Sequence, residues 1–241
     1  MPAGVTAGSP RFSPDGQRLS FNHNAGGNAL AVIGRDGKNL QVLSEQCDRF
    51  CESAWHPTSG EIFFSRNATV HAVAASGGTP RVVTKPYQAP KGIDVSQDGQ
   101  YLGFQSYDVV ILKLADNTQQ TVSTRSEVYG LRFSPDGKKL LYRDYNTDAI
   151  RIIQSLENGT TTTVLDTSNY LSAADWFPDG NQLAVVSDTG LELVTLQASG
   201  EPTRKMLKEG TSFKDVDVSP DGKAIAYAVN GQRSLFVLTG F

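Results

Sequence analysis

The sequence is 241 residues long, with 22 lysines and arginines, 25 aspartates and glutamates, and a formal net charge of −3. Its 39% hydrophobic and 20% charged residues are typical of a globular protein and exclude a largely disordered chain. A slightly acidic chain without basic blocks matches a phosphate backbone poorly, so nucleic acid is not an expected partner. No apolar run approaches the roughly 20 residues that cross a bilayer, so membrane insertion is not expected either.

Six copies of one short pattern recur along the chain. Each has an aromatic or branched residue followed by Ser-Pro-Asp-Gly or a degraded form of it, and the copies lie at residues 11–16, 54–60, 94–99, 132–137, 175–180 and 217–222. The turn glycines are spaced 38 to 44 residues apart. Six units of about 40 residues therefore fill residues 1–241 as a single domain.

Each copy has the chemistry of a tight β-turn. Proline presets φ at the second turn position, aspartate suits the third, and glycine supplies the positive φ that closes a bulged hairpin. In the first unit Leu19-Ser20-Phe21 follows this turn, and a second hairpin turns at Gly34-Arg35-Asp36-Gly37. Four short strands per unit, repeated radially, predict an all-β fold, a six-bladed β-propeller with four-stranded blades.

The two ends of the chain predict how the ring closes. The sixth unit has its third strand at 234–238 and stops at Phe241 without a fourth. The segment Ala3-Gly4-Val5-Thr6 aligns with the fourth strand of another unit, at 81–84. We expect this N-terminal strand to complete the last blade, which favours six blades over five or seven.

The Ser-Pro-Asp-Gly hairpin preceded by an aromatic residue resembles the repeat of the TolB propeller family. The resemblance covers essentially the whole chain, with clean matches at residues 12–16, 133–137 and 217–222. It implies a propeller of the bacterial periplasm that engages other proteins. Members of that family carry an additional α/β domain ahead of the propeller, and nothing in this sequence corresponds to it. Similar blades also occur in peptidase propellers, lyases and sensor ectodomains.

Two adjacent repeat positions have distinct expected roles. The aromatic position is expected to wedge between neighbouring blades, and it holds Phe12, Trp55, Val95, Phe133, Trp176 and Val218. The position before it holds Arg11, Ala54, Asp94, Arg132, Asp175 and Asp217. We expect ion pairs between neighbouring blades, which would join Arg132 to both Asp94 and Asp175 and would join Asp217 to Arg11. The alternative is a polar collar whose surplus acid holds a cation or a ligand amine.

The loops that enter the innermost strands, and those that join the second and third strands, cluster on one face of a propeller, where binding usually occurs. These loops are rich in tyrosine, phenylalanine and arginine, which is typical of a protein or peptide contact surface. The expected binding residues are Arg49, Phe50, Tyr87, Tyr107, Tyr129, Tyr145, Tyr170 and Phe213. The alternative is that these rings cap the blades or plug the channel.

Two cysteines, Cys47 and Cys51, lie in one of these loops at a spacing that allows a local disulfide. A disulfide would indicate an oxidising compartment, periplasmic or otherwise extracytoplasmic. Two reduced thiols in a cytoplasmic protein are the alternative. The start Met1-Pro2-Ala3-Gly4 lacks the basic and apolar segments of a secretory signal, so it begins either a cytosolic protein or the folded part of a longer one.

Catalysis is not expected from the sequence. The three histidines, His23, His56 and His71, are scattered, and no convergence of a histidine with a nucleophile is visible. No catalytic residue, metal or cofactor is therefore predicted. The sequence favours a monomeric, non-catalytic propeller of the bacterial envelope that binds a protein or peptide through its loop face. The alternatives are a sensor or scaffold propeller cut from a larger chain, and a small-molecule hydrolase or lyase acting at the channel mouth.

Overall fold

The computed structural model describes residues 6–24, 26–48, 51–86, 88–124, 127–156, 160–165, 171–230, 232 and 234–241. These residues form six antiparallel sheets. The first two sheets contain β1 (Thr6–Phe12), β2 (Arg18–Asn24), β3 (Asn28–Gly34) and β4 (Gln41–Ser44), then β5 (Ser53–Trp55), β6 (Glu61–Arg66), β7 (Thr69–Ala74) and β8 (Arg81–Thr84). The next two contain β9 (Lys91–Val95), β10 (Tyr101–Ser106), β11 (Asp108–Lys113) and β12 (Gln119–Val122), then β13 (Val128–Phe133), β14 (Leu140–Asp144), β15 (Ile150–Ile153) and β16 (Thr161–Leu165). The last two contain β17 (Leu171–Trp176), β18 (Gln182–Ser187), β19 (Gly190–Thr195) and β20 (Thr203–Glu209), then β21 (Phe213–Val218), β22 (Ala224–Val229) and β23 (Leu235–Thr239).

The six sheets are the blades of a β-propeller, as the repeat predicts. The first strand of each blade is innermost, and these strands contact one another in sequence around the ring: β1, β5, β9, β13, β17, β21 and again β1. Each further strand pairs outward with the one before it. The all-β, six-bladed architecture is thus confirmed. Nowhere in the described ranges does the chain form a helix that is long and apolar enough to cross a membrane.

The last blade differs from the other five because its described part has three strands. Residues 3–5 of the predicted N-terminal strand lie outside the described residues, so their place in that blade stays a prediction. The expectation for Thr6 is wrong, because its backbone pairs with Asn24 in the first blade. Within the described chain, the first and last blades meet where Phe12 packs with Ala224 and Ala226.

The apolar core is divided into six clusters, one at each contact between neighbouring blades. Each cluster contains one residue of the repeated wedge position, in the order Phe12, Trp55, Val95, Phe133, Trp176 and Val218. All six side chains are buried. The predicted wedge role is therefore confirmed, and the burial of apolar surface between blades is the main source of cohesion in the ring.

The repeated turn is held by side-chain hydrogen bonds as well as by backbone geometry. Its glycine has φ between 66° and 71° in all six copies, which a residue with a Cβ adopts only under strain. The serine has a role that the sequence analysis missed. Ser134 Oγ donates to Asp136 Oδ1 at 2.6 Å and accepts from the Lys139 amide at 3.0 Å. The same pattern recurs at Ser13, Ser96 and Ser219.

Replacing Ser134 by alanine is expected to lower the free energy of unfolding by about 0.5–1.5 kcal/mol, because the buried Ser134 hydroxyl bonds both the Lys139 amide and the Asp136 carboxylate. Chemical denaturation monitored by tryptophan fluorescence measures this difference. The exposed Ser199, in another hairpin turn, is the matched control and should change stability by less than about 0.5 kcal/mol on mutation to alanine. Equal effects of the two substitutions would contradict the role of the turn serine.

Candidate functional site

The central channel contains two cavities. The first cavity, about 390 Å³, lies at the end of the channel that faces the Ser-Pro-Asp-Gly turns. Five prolines of these turns border it. The second, about 310 Å³, opens on the loop side, and we call it the mouth cavity. Its lining residues are Ser9, Arg11, Glu52, Ser53, Tyr129, Gly130, Arg132, Arg143, Tyr145, Ala173, Lys214, Asp215 and Val216. Arg11 and Arg132 line both cavities, so their side chains lie between the two.

Buried ion pairs cross the channel, but not all of them join neighbouring blades. Arg11 Nε lies 3.0 Å from Asp217 Oδ1, and Arg132 Nε lies 3.6 Å from Asp175 Oδ1, as predicted. The predicted pair of Asp94 with Arg132 is wrong, since Asp94 pairs with Arg11, two blades away. The blade between them has Ala54 at the equivalent position, and this small side chain leaves the long Arg11 side chain room to reach Asp94.

The other oxygen of each of these aspartates fastens the following blade. Backbone amides there donate to the carboxylate: Phe12 to Asp217 at 2.6 Å, Phe133 to Asp94 at 2.7 Å and Val218 to Asp175 at 2.7 Å. Where the residue before the wedge position is arginine, the wedge residue of the next blade is tryptophan. The indole of that tryptophan donates to the carbonyl of the arginine. These bonds run from Trp55 to Arg11 at 3.1 Å and from Trp176 to Arg132 at 3.3 Å. The two repeat positions are therefore chemically matched across five of the six blade contacts.

The channel holds more acid than base, and this changes how the acids titrate. Burial raises the pKa of Asp217 to about 7, against the lowering effect of the Arg11 guanidinium. Burial raises the pKa of Asp175 as well, against Arg132. Ionised carboxylates at this depth are tolerated only when they are paired, and here three of them (Asp94, Asp175 and Asp217) share two guanidinium groups.

Asp217 is expected to make stability depend on pH. Its folded-state pKa of about 7 is above the ordinary 3.8, so the folded chain keeps a proton that the unfolded chain releases. The stability that this proton contributes is fully present at a pH below the unfolded-state pKa. It is lost as the pH rises through the folded-state pKa. Relative to Asp217→Asn, the wild-type protein should therefore lose free energy of unfolding between about pH 4 and 7, and then level off.

Denaturation of both proteins across this pH range measures that difference. Asp221→Asn is the matched control because the Ser219 hydroxyl and the Lys223 amide lower the pKa of Asp221. Relative to that variant, the wild-type protein should instead lose stability as the pH falls. Parallel pH profiles for the wild-type protein and Asp217→Asn would contradict the assignment.

Two of the predicted binding residues meet at the edge of the mouth cavity. The rings of Tyr129 and Tyr145 have centroids 5.6 Å apart and planes inclined by 57°. Tyr129 is partly buried, while Tyr145 is 53% exposed. Their cationic neighbours are Lys91, with Nζ 5.1 Å from the Tyr129 ring centroid, and Arg143, with Cζ 5.9 Å from the Tyr145 centroid. The positive charges face the rings at distances that suit cation–π contact.

A β-bulge positions Tyr129. Tyr129 pairs with Arg143 and Arg132 pairs with Leu141, so the register between β13 and β14 shifts by one residue at this point. Gly130, within the bulge, has φ of 60°. Bulges of this kind bend a strand and turn a side chain toward a new direction. The glycine is visible in the sequence, but the register shift that redirects Tyr129 depends on the pairing of β13 with β14, which the sequence does not show.

A third depression, of about 610 Å³, lies outside the channel, and we call it the side groove. It is lined by Tyr107, which is 73% exposed, and by Lys91 and Glu127, which form an ion pair. The hydrogen bond from Lys91 lowers the pKa of Glu127. Tyr107, Tyr129 and Tyr145 together form what we call the tyrosine patch, which extends from the side groove to the mouth cavity.

The remaining predicted site residues have different outcomes. Arg49, Phe50, Tyr87 and Tyr170 lie outside the described residues, so their roles stay predictions. Phe213 is 6% exposed and its ring packs on Tyr227 with centroids 5.2 Å apart, so its expected place on a contact surface is wrong. It fills the core between the last two blades because its strand turns the ring inward.

Several charged residues at the mouth were missed by the sequence analysis, among them Lys91, Glu127, Arg143 and Glu52. Glu52 adjoins Cys51 in the loop that was predicted to reach the mouth, and this was the available signal. For Arg143, on the second strand of its blade, neither spacing nor composition indicated a place at the channel. Such placements depend on the twist of the blades, which a single sequence does not show.

Cys47 and Cys51 form a disulfide, with Cα atoms 5.3 Å apart. The alternative of two reduced thiols is thus not what the structure contains. Cys51 is fully buried and packs with Leu30 and Trp55 at the contact of the first two blades. The disulfide therefore links Cys47 to a residue of the core.

The histidines occupy structural positions away from the mouth cavity. His56 stands at the serine position of the second turn, where its Nδ1 accepts from the amides of Thr58 and Ser59 at 3.2 and 3.1 Å. His23 lies in β2 against Phe21, and His71 in β7 against Phe64. Among the described residues, no three or more histidine, cysteine, aspartate or glutamate side chains are grouped so as to hold a metal ion.

The fold and its channel define the class of protein as a six-bladed β-propeller. A putative TolB from Agrobacterium tumefaciens is 17% identical, with a TM-score of 0.69 over 90% of this chain and 87% of that one. A chain of the nidogen/laminin complex is 13% identical, with a TM-score of 0.74 over 89% and 85%. A chain of the mitotic checkpoint complex is 15% identical, with a TM-score of 0.71 over 100% and 76%.

At these identities the likeness establishes the fold alone. No protein-family model matches the sequence. No curated protein matches it significantly.

Proposed function

We propose that residues 1–241 form one non-catalytic propeller domain that binds a protein or peptide through the loop face of the channel. The tyrosine patch is the observation that carries this proposal. Tyrosine beside arginine is enriched at the energetically dominant centres of protein interfaces, because a rigid ring buries much area and loses little conformational entropy. Tyr107 is 73% exposed and Tyr145 is 53% exposed, whereas the wedge and core aromatics of this chain are buried.

The surroundings of the patch support binding of an extended segment. The mouth cavity and the side groove meet at Lys91, which lines the groove and has its Nζ 5.1 Å from the ring centroid of Tyr129, a residue of the cavity. A cavity next to an open groove suits a peptide that inserts one side chain and lays its neighbours along the surface. Two of the similar folds were solved as parts of protein complexes, which agrees with a general protein-binding role.

The proposed location is extracytoplasmic, in the envelope of a bacterium. The disulfide between Cys47 and Cys51 supports this part of the proposal, because disulfides form and persist in oxidising compartments and are rare in the cytosol. The TolB-like fold agrees with it.

The test is selection of binders from a displayed library of random linear peptides, followed by affinity measurements on variants. Tyr145→Ala and Tyr129→Ala should each weaken the selected peptides about tenfold or more, because each removes a ring at the centre of the surface. Val82→Ala is the matched control, since Val82 is 51% exposed on the outer strand β8. Peptides that bind both tyrosine variants as well as the wild type would show that the loop face is not the binding face.

A further inference from the structure

The third strand of the last blade, β23, differs from the third strands of the other blades. In each of those blades a fourth strand covers the third, whereas within the described residues no strand pairs with the outer edge of β23. None of the five residues of β23 is buried, although the third strand of every other blade has three or more buried residues. β23 therefore has the position of an interior strand and the surroundings of an edge strand.

The sequence of β23 is that of a strand covered on both edges. Four of its five residues are apolar and none is charged. The outer strands of the other five blades have only one or two apolar residues each. Natural sheets avoid apolar edges in water because such edges pair with further strands. The composition of β23 thus favours a further strand beside it.

The backbone of β23 directs hydrogen-bonding groups outward at three positions. The carbonyl of Ala224 in β22 accepts from the Ser219 amide at 2.8 Å, so the backbone groups of Ala224 point toward β21 and away from β23. Its partner in β23 is Thr239. In an antiparallel pair, two opposed residues either bond to each other or both point away, and the two kinds of pair alternate along the strand. The outward positions are therefore Leu235, Val237 and Thr239.

The segment ahead of β1 is short for a fourth strand of this blade. The outer strands of the other blades have four or more residues, and the connections from them to the next innermost strand have three or more. A strand with its connection thus needs at least seven residues, and five precede Thr6.

The neighbouring edge of the fifth blade is basic on the side of the last blade. Lys205 and Lys208 are exposed, and they lie in β20 opposite Leu193 and Leu191 of β19. Opposed residues project from the same side of a sheet, and these two leucines pack in the core between the last two blades. Both lysines therefore project toward the last blade.

A strand added to β23 would meet these lysines. Outer strands of neighbouring blades come close in this protein, as Gln119 Nε2 of β12 donates to Thr84 Oγ1 of β8 at 3.3 Å. The added strand would lie in the equivalent place beside β20, so carboxylates on that face would complement Lys205 and Lys208. On the opposite face Leu235 packs against the first blade, and apolar residues of the added strand would extend this contact.

We infer that the outer edge of β23 binds an extended segment of a partner protein as the fourth strand of the last blade. The segment pairs with the outward backbone groups of β23 and alternates acidic with apolar residues. This site lies on the outside of the ring, whereas the tyrosine patch lies at the channel mouth. The inference is therefore independent of the proposed function.

Hydrogen exchange followed by NMR on the intact protein tests the state of this edge. In the free protein the amides of Val237 and Thr239 should exchange fast, whereas those of Phe236 and Leu238, which bond to β22, should exchange slowly. The probe is an eight-residue peptide of alternating glutamate and valine with blocked ends. At saturation it should slow the exchange of Val237 and Thr239 about tenfold or more. The same peptide with lysine in place of glutamate is the control and should bind about tenfold more weakly or less.

Protein variants locate the bound strand. Lys205→Glu combined with Lys208→Glu, at two exposed positions, should reverse the preference between the two peptides. Val237→Pro removes an outward N–H and should weaken the glutamate peptide about tenfold or more. Val82→Pro, on the exposed outer strand β8, is the matched control and should bind it unchanged. If Val237→Pro fails to fold, the double lysine variant still tests the inference.

Three results would overturn the inference. Slow exchange of Val237 and Thr239 in the free protein would show that the edge is already covered, by a second copy if dilution removes the protection and by the chain itself if it does not. Equal binding of the two peptides, or no binding of either, would remove the predicted partner chemistry. Loss of binding in Tyr145→Ala would place the peptide at the tyrosine patch instead. Failure of peptide binding at the tyrosine patch would leave the inference about β23 intact.

Discussion

Replacing Arg11 by alanine is expected to lower the free energy of unfolding by about 3–5 kcal/mol. The Arg11 side chain is 13% exposed, and it is the ionic partner of both Asp94 and Asp217, whose side chains are 7% exposed. Without the guanidinium, both carboxyl groups stay buried without a cationic partner, and each either carries an uncompensated charge or takes up a proton. Equilibrium denaturation by urea measures the loss. The pairs join the first blade to the third and the sixth, so the substitution affects the closure of the ring.

Arg81→Ala is the matched control for this prediction. Arg81 forms a bidentate pair with Glu61, with nitrogen–oxygen distances of 3.0 and 2.8 Å, but its side chain is 56% exposed. Exposed pairs contribute little, so the expected loss is below about 1 kcal/mol. Adding Asp217→Asn to Arg11→Ala should recover part of the stability, because one uncompensated charge is removed. A loss in Arg11→Ala as small as that in Arg81→Ala would show that the channel charges need no partner.

Replacing Trp176 by alanine is the second substitution with a large expected effect, also about 3–5 kcal/mol. Trp176 is 5% exposed and packs between the fourth and fifth blades with Leu141, Ile152 and Leu183. Truncation leaves a cavity that the flanking strands cannot close, because their backbones are held by ladder hydrogen bonds. Thermal and chemical denaturation measure the loss.

Trp176→Phe separates the two contributions of the indole. Phenylalanine keeps most of the buried apolar surface but cannot donate to the Arg132 carbonyl, so about 1–2 kcal/mol should be lost. Trp55→Ala should repeat the result at the contact of the first two blades, where the indole donates to Arg11 in the same way. If Trp176→Ala proved as stable as Trp176→Phe, the wedge role of this position would be contradicted.

The channel and the mouth differ in what their charges do. The aspartates of the channel fasten neighbouring blades by accepting backbone amides, and their partners are Arg11 and Arg132. At the mouth, Arg132 and Glu52 each keep an atom without a partner in the described chain. The ion pairs of the channel form a rigid base beneath the mouth cavity, and binding at a preorganised surface requires little reorganisation of the scaffold.

The candidate site was only partly predictable. Tyr107, Tyr129 and Tyr145 were predicted at the loop face because hairpin loops of successive blades emerge on the same side, and the structure places Tyr129 and Tyr145 at one cavity. Phe213 was misplaced because the direction of a side chain near a bulge depends on the register of β21 with β22, which shifts by one residue between Phe213 and Asp215. Arg143, on the second strand of its blade, gave no sequence signal, and Glu52 was indicated only by its place beside Cys51 in a loop predicted to reach the mouth.

The number of blades, the turns and the wedge residues were determined by the sequence alone, because each depends on a few adjacent residues that recur with one period. Proline and glycine restrict φ locally, and alternating apolar residues define strands without reference to the rest of the chain. The pairing of Arg11 with Asp94 was decided only by the tertiary structure. That pair joins residues 83 positions apart across a closed ring, and it forms because the small Ala54 of the intervening blade leaves the path open.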